Sequence, residues 1–147
     1  MPTEEIVTRY RVSLIVWLFV VALLGYWFRF DAPMSAEWRD GIGGAAYVIF
    51  FMVALAIIWQ ARSATRITLI VLTLTCVLEF LQLWHPLWLE RIRRTLLGRA
   101  LLGTTFGWTD FPPYFAGAVM GWVLVRLHRR IFSIRIKDRG CSSAYFE

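Results

Sequence analysis

Thiols and imidazoles are scarce in this chain, with two of each among 147 residues. Cys76 lies inside an apolar block and Cys141 in a basic tail, and neither has a second thiol or a histidine cluster at metal-ligand spacing beside it. That excludes a redox motif, gives no ground for a disulfide, and leaves no metal or other cofactor to expect. Lysine is scarcer still, because Lys137 is the one lysine among sixteen basic residues. The formal net charge is nevertheless +6. In a soluble protein this would point to nucleic acid, but here the arginines form caps around apolar blocks, where anionic lipid head groups are the nearer partner. Nucleic acid is therefore not an expected partner.

What the chain holds in excess is apolar sequence, with 59% hydrophobic residues. The surplus falls in four blocks almost free of basic residues, at 12–28, 42–59, 67–84 and 111–127. Each has about 17 or 18 residues, enough for a helix of roughly 26 Å that nearly crosses the hydrocarbon core. Lipid offers the backbone no hydrogen-bond partner, so the blocks are expected to be helices. The expected fold is an all-α membrane protein over residues 1–128: a bundle of four transmembrane helices with an interfacial or re-entrant helix between the third and fourth. A basic cytoplasmic tail is expected at 129–147. The first block is longer than a secretory signal core, and no small-x-small cleavage site comes after Phe28, so it is expected to remain as a span.

Along the chain, the first block ends in Tyr26, Trp27, Phe28, Arg29 and Phe30, a cluster suited to the interface. Gly41, Gly43 and Gly44 open the second block and allow a neighbouring helix to come close. The third block is polar for a membrane helix; Cys76, Glu79 and Gln82 are three apart and share one broad face, which should look into the bundle. Between the third and fourth blocks, Trp88, Leu89, Ile92, Leu96 and Ala100 recur at helical spacing opposite Arg91 and Arg94, which predicts a helix lying in the interface. Thr109 or Asp110 should cap the fourth helix, whose first turn accepts Pro112 and Pro113. Gly117 and Gly121 form a GxxxG face.

In this four-span arrangement ten basic residues lie on the side of the termini and six opposite, which puts both termini in the cytoplasm. Arg91, Arg93, Arg94 and Arg99 then lie on the outer side, and such a local excess calls for a local anion. Glu79, near the end of its span, is costly there and needs protonation, an arginine or water. It either acts as polar glue between helices or belongs to a functional site. His85 reads as an interfacial hydrogen-bonding residue and not as a metal ligand.

The stretch 79–117 resembles a family of small bacterial membrane proteins of unknown function, akin to VanZ-like proteins. The resemblance rests on Glu79, Phe80, Gln82, Leu83, His85, Trp88, Leu89, Glu90, Arg93, Thr95, Gly98, Arg99, Gly103, Phe106, Trp108, Asp110, Tyr114 and Gly117, with Gly25, Arg29 and Asp40 as weaker marks upstream. Leu96 stands where a second basic residue is expected, and Pro112 and Pro113 replace an ordinary helix start. The resemblance implies a multi-pass protein of the bacterial cytoplasmic membrane with a link to the cell envelope, and little chemistry.

The leading expectation is a non-enzymatic outer-side pocket lined by Glu79, Gln82, His85, Arg93, Arg99 and Asp110, with Thr95, Arg29 and Asp40 nearby, that binds an anionic lipid head group or envelope precursor. Its geometric requirement is Arg93 or Arg99 within reach of Glu79 or Asp110. A second reading is an enzyme acting on a phosphorylated lipid, with Glu79 or His85 as general acid or base; Thr95 is only a weak nucleophile, so water would serve. A third is an assembly protein whose Gly117 and Gly121 meet another copy or another membrane protein.

Overall fold

A computed structural model describes residues 2–95, 98, 101–103 and 106–138. Helix α1 spans Pro2–Phe30, α2 Ala36–Ile58, α3 Ala64–Leu81 and α4 Leu87–Arg93; a 3-10 turn at Trp108–Asp110 leads into α5 at Phe111–Asp138. The described residues form no strand.

Local chemistry sets the helix ends. Ser63 starts α3 by accepting a hydrogen bond from the Arg66 amide at 3.3 Å. Its C-terminus tightens through three successive bonds from residue i to i−3, the amides of Gln82, Leu83 and Trp84 reaching Glu79, Phe80 and Leu81. Pro86 then forbids continuation and stands before α4. The third helix therefore stops short of the expected Trp84. The interfacial helix is also shorter than expected, because Thr95 Oγ1 donates to the Ile92 carbonyl at 2.7 Å and accepts the Gly98 amide at 2.9 Å, drawing the backbone into a turn. Leu96 and Ala100 lie outside the described residues. Pro112 and Pro113 occupy the first turn of α5 as expected. Because α5 runs on to Asp138, the start of the expected tail continues the helix.

Val7–Phe30, Ala36–Ile58 and Ala64–Leu81 are long and apolar enough to cross a membrane. Among the described residues the count is three and not the expected four. The N-terminal half of α5 is diluted by Pro112, Pro113, Tyr114, Gly117 and Gly121, and Arg126 and His128 interrupt its second half.

Helices α2 and α5 form the central pair. They run in the same direction, for Gly44 meets Tyr114 and Pro113 near one end while Gly121 meets Met52 further along. α1 is antiparallel to α2, with Gly25 against Ala46 and Arg29 over Gly43. α3 is antiparallel to α5, with Trp122 Nε1 donating to Thr65 at 3.2 Å and Tyr114 to Glu79 at 2.9 Å. Leu14, Val48, Met52, Val53, Ile67, Val71 and Val125 fill the space between them. Gly117 is required here, since a Cβ would stand 2.5 Å from the Ala45 carbonyl oxygen. The expected GxxxG face is thus covered by α2 of the same chain. One end of the bundle gathers Arg29, Asp40, Glu79, Arg93 and Asp110; the other gathers Tyr10, Arg62, His128 and Arg129.

Candidate functional site: a buried carboxylate under the return loop

Glu79 lies in the last turn of α3, on the face that α5 and the returning chain cover, and is 1% exposed. Its Oε1 accepts the Gly107 amide at 3.0 Å; its Oε2 accepts Gln82 Nε2 at 3.0 Å and the Tyr114 hydroxyl at 2.9 Å. Three donors from α3, the return loop and α5 thus converge on one carboxylate, which replaces much of the solvation lost on burial. Asp110 stands beside it. Burial pushes the Asp110 carboxyl above its ordinary range, and Glu79 raises it further through its charge and a hydrogen bond, while the Arg29 guanidinium pulls it down.

Two glycines let the loop reach this position. Gly103 adopts φ +67°, and a Cβ there would lie 2.4 Å from Gln82 Nε2. At Gly107 a Cβ would lie 3.0 Å from Asp110 Oδ2. The Tyr47 hydroxyl ties the same segment to α2 through the Leu101 carbonyl at 2.9 Å. Outside, Phe80, Phe106, Trp108 and Phe111 pack on one another, with Phe106 and Trp108 at 5.1 Å and Trp108 stacked on Phe111 at 5.7 Å.

Of the residues expected from the sequence, the structure brings together Glu79, Gln82 and Asp110, with the Arg29–Asp40 ion pair at their edge. Arg93 is elsewhere. It is 4% exposed and donates to the Leu81 carbonyl at 2.8 Å and the Trp84 carbonyl at 3.1 Å, with the Glu90 carboxylate 3.7 Å away. It satisfies the open carbonyls at the end of α3 and makes no ion pair with Glu79, so the Arg93 half of the expected geometry is not met. His85 is exposed, its Nδ1 lying 3.1 Å from the Leu83 carbonyl. Thr95 is engaged within its own turn. Arg99 lies outside the described residues.

Tyr114, Gly103 and Gly107 complete the site but were not among the expected site residues. Tyr114 had a legible signal, since it comes four positions after Asp110 at a helix start and so shares its face. Gly103 stood out only as a mark of the resemblance and Gly107 not at all, because their role depends on what the loop packs against. An apolar groove of about 230 Å3 lies between α2 and α3, lined by Tyr47, Phe51, Val71, Leu74, Thr75 and Leu101 among others. Glu79 does not line it.

No solved structure matches this chain. Residues 33–118 match the model of a family described as a protein of unknown function, DUF2809. The match includes every member of the Glu79 cluster and leaves out Arg29. It carries no link to VanZ-like proteins and none to bacteria in particular. Since it spans more than half of the sequence, the chain belongs to the DUF2809 family of proteins of unknown function.

Proposed function

We propose that this is a four-span integral membrane protein whose α4 segment receives an anionic lipid head group, and that the Glu79 cluster is the latch holding the return loop in place. The observation that carries the reading is the orientation of α4. Leu89 and Arg93 are buried, while Leu87, Trp88, Arg91, Ile92 and Arg94 are exposed. Exposed apolar and aromatic side chains interspersed with exposed arginines suit the boundary between acyl chains and phosphates. Binding inside the Glu79 cluster is disfavoured, because its described members present two carboxyl groups to an incoming anion.

The fourth span is α5. It fails on hydropathy alone, yet it packs along both α2 and α3, and a helix so held goes where its neighbours go. The arginine distribution favours both termini in the cytoplasm, and the likeness of 79–117 to VanZ-like proteins favours the bacterial cell envelope.

Native mass spectrometry after gentle extraction tests the lipid reading. Anionic phospholipid should remain bound to the full chain and fall several-fold in an Arg91→Glu, Arg94→Glu double variant. Equal retention would overturn it. The second reading, an enzyme acting on a phosphorylated lipid, has one observation in its favour: two adjacent carboxyls with a tyrosine are an acid–base set. It predicts turnover of a polyprenyl or glycerolipid phosphate by the purified protein, abolished in Glu79→Gln. No turnover by the unmodified chain ends that reading.

A further inference from the structure

At the opposite end of the bundle lies a second buried charge. Arg129, on α5, is 5% exposed, and its Nη1 donates to the Arg62 carbonyl in the α2–α3 connection. Its Nε and Nη2 complete no hydrogen bond among the described residues, and the Tyr10 hydroxyl stands beside the guanidinium. Those two nitrogens form the side-on edge of the guanidinium, whose parallel N–H bonds grip two oxygens of one anion. Beside it, His128 is 8% exposed and its Nε2 also lacks a partner. Tyr10, from α1, packs its ring 5.2 Å from that of His128, and Phe132 lies 4.9 Å from the imidazole on its own helix. The site is therefore walled by rings, with its charge provided by one arginine.

The surroundings are positive. Arg62, Arg66, Arg126 and Arg130 are exposed around the same end, with the Arg126 guanidinium 4.7 Å over the Trp122 ring. Glu5, on α1, is engaged by Arg9 at 2.8 Å. A guanidinium taken out of water with a carbonyl and a neutral phenol as its neighbours keeps an uncompensated charge that an anion would complete, and the field of the flanking arginines raises the local anion concentration. A carboxylate would satisfy the fork, but a phosphate also leaves oxygens for His128 and the rim arginines, which suits a cluster of this composition.

We infer that Arg129, with His128, forms an anion site for a phosphate group at the end of the bundle from which α1 starts. The phosphate belongs either to a lipid head group or to a free phosphate. This site is separate from α4 and does not depend on the Glu79 cluster.

The test is thermal unfolding of the full chain in neutral detergent, in an Arg91→Gln, Arg94→Gln background that removes the proposed α4 contact. Inorganic phosphate, phosphatidylglycerol and phosphatidylcholine are titrated separately. The inference expects a concentration-dependent rise in Tm with at least one phosphate-bearing ligand. In Arg129→Lys, which keeps the charge and loses the fork, the apparent affinity should fall about tenfold or more. In His128→Gln, which leaves the Arg62 contact intact, it should fall by a smaller factor. A rise with phosphatidylglycerol alone supports the inference with lipid as the source, and a rise with inorganic phosphate identifies the free ion as sufficient. No rise with any ligand overturns it, as does a rise of equal size in both variants.

Discussion

Glu79 shows how a single carboxylate can organise a membrane protein end without an arginine partner. Its acceptors are used by an amide side chain, a backbone N–H and a phenol, each on a different segment, so that losing one leaves the others to hold the charge. Tyr114→Phe should lower stability by about 1–3 kcal/mol, the range for a hydrogen bond to a charged group, measured as a shift in the chemical or thermal unfolding midpoint. Glu79→Leu removes the acceptor shared by all three donors and should cost more than Tyr114→Phe; an equal or smaller loss would show that the cluster is not the latch. Asp110 adds a pH dependence. Its carboxyl is raised in the folded protein, so the folded state holds the proton more tightly than the unfolded chain does. The stability this contributes is fully present below the unfolded pKa and is lost as pH rises through the folded value. Across the weakly acidic range, Asp110→Asn should therefore flatten the decline in Tm with rising pH, and an unchanged slope would remove Asp110 from that account.

At the scale of elements, two contacts decide how the helices meet. Gly117 faces backbone, where a methyl group would stand 2.5 Å from the Ala45 oxygen, whereas a methyl at Gly121 would meet the flexible end of Met52 at 2.7 Å. Gly117→Ala should separate α2 from α5 and reduce the folded fraction severely, while Gly121→Ala should cost clearly less, as read by fluorescence-detected size exclusion and Tm. Arg93 does for α3 and α4 what glycine caps do elsewhere: it closes the end of one helix from the body of the next. Arg93→Met keeps the apolar stem and removes the donors. It should free the carbonyls of Leu81 and Trp84 and make α4 more sensitive to proteolysis, without changing the contacts between α2 and α5. The run Glu79 to His85 and the helix at Trp88 were legible from polarity and spacing. The inward turn of Arg93 was not, because an arginine near a glutamate in sequence reads as an ion pair until the open carbonyls that compete for it are located.

For the whole molecule the decisive question is α5, whose composition falls short of a span although it packs along two helices apolar enough to cross a membrane. Single cysteines at Thr109 and Arg130, both exposed positions near the ends of the apolar part of α5, should react with an impermeant thiol reagent from opposite sides of the membrane. The background is Cys76→Ser, Cys141→Ser. Labelling of both from the same side would show that α5 does not cross. The sequence by itself determined the membrane class, three of the four expected spans, and the placing of Glu79, Gln82 and Asp110 near one another's helix ends, because hydropathy and helical period are local properties of the chain. Tertiary structure alone decided which partners those groups take. Tyr114 and Gly107 reach Glu79 only because the return loop folds over the bundle, Arg93 is drawn to the carbonyls of α3, and Gly117 is used up against α2. Hydrogen-bond competition and close packing act between segments distant in sequence, so no run of residues announces their outcome.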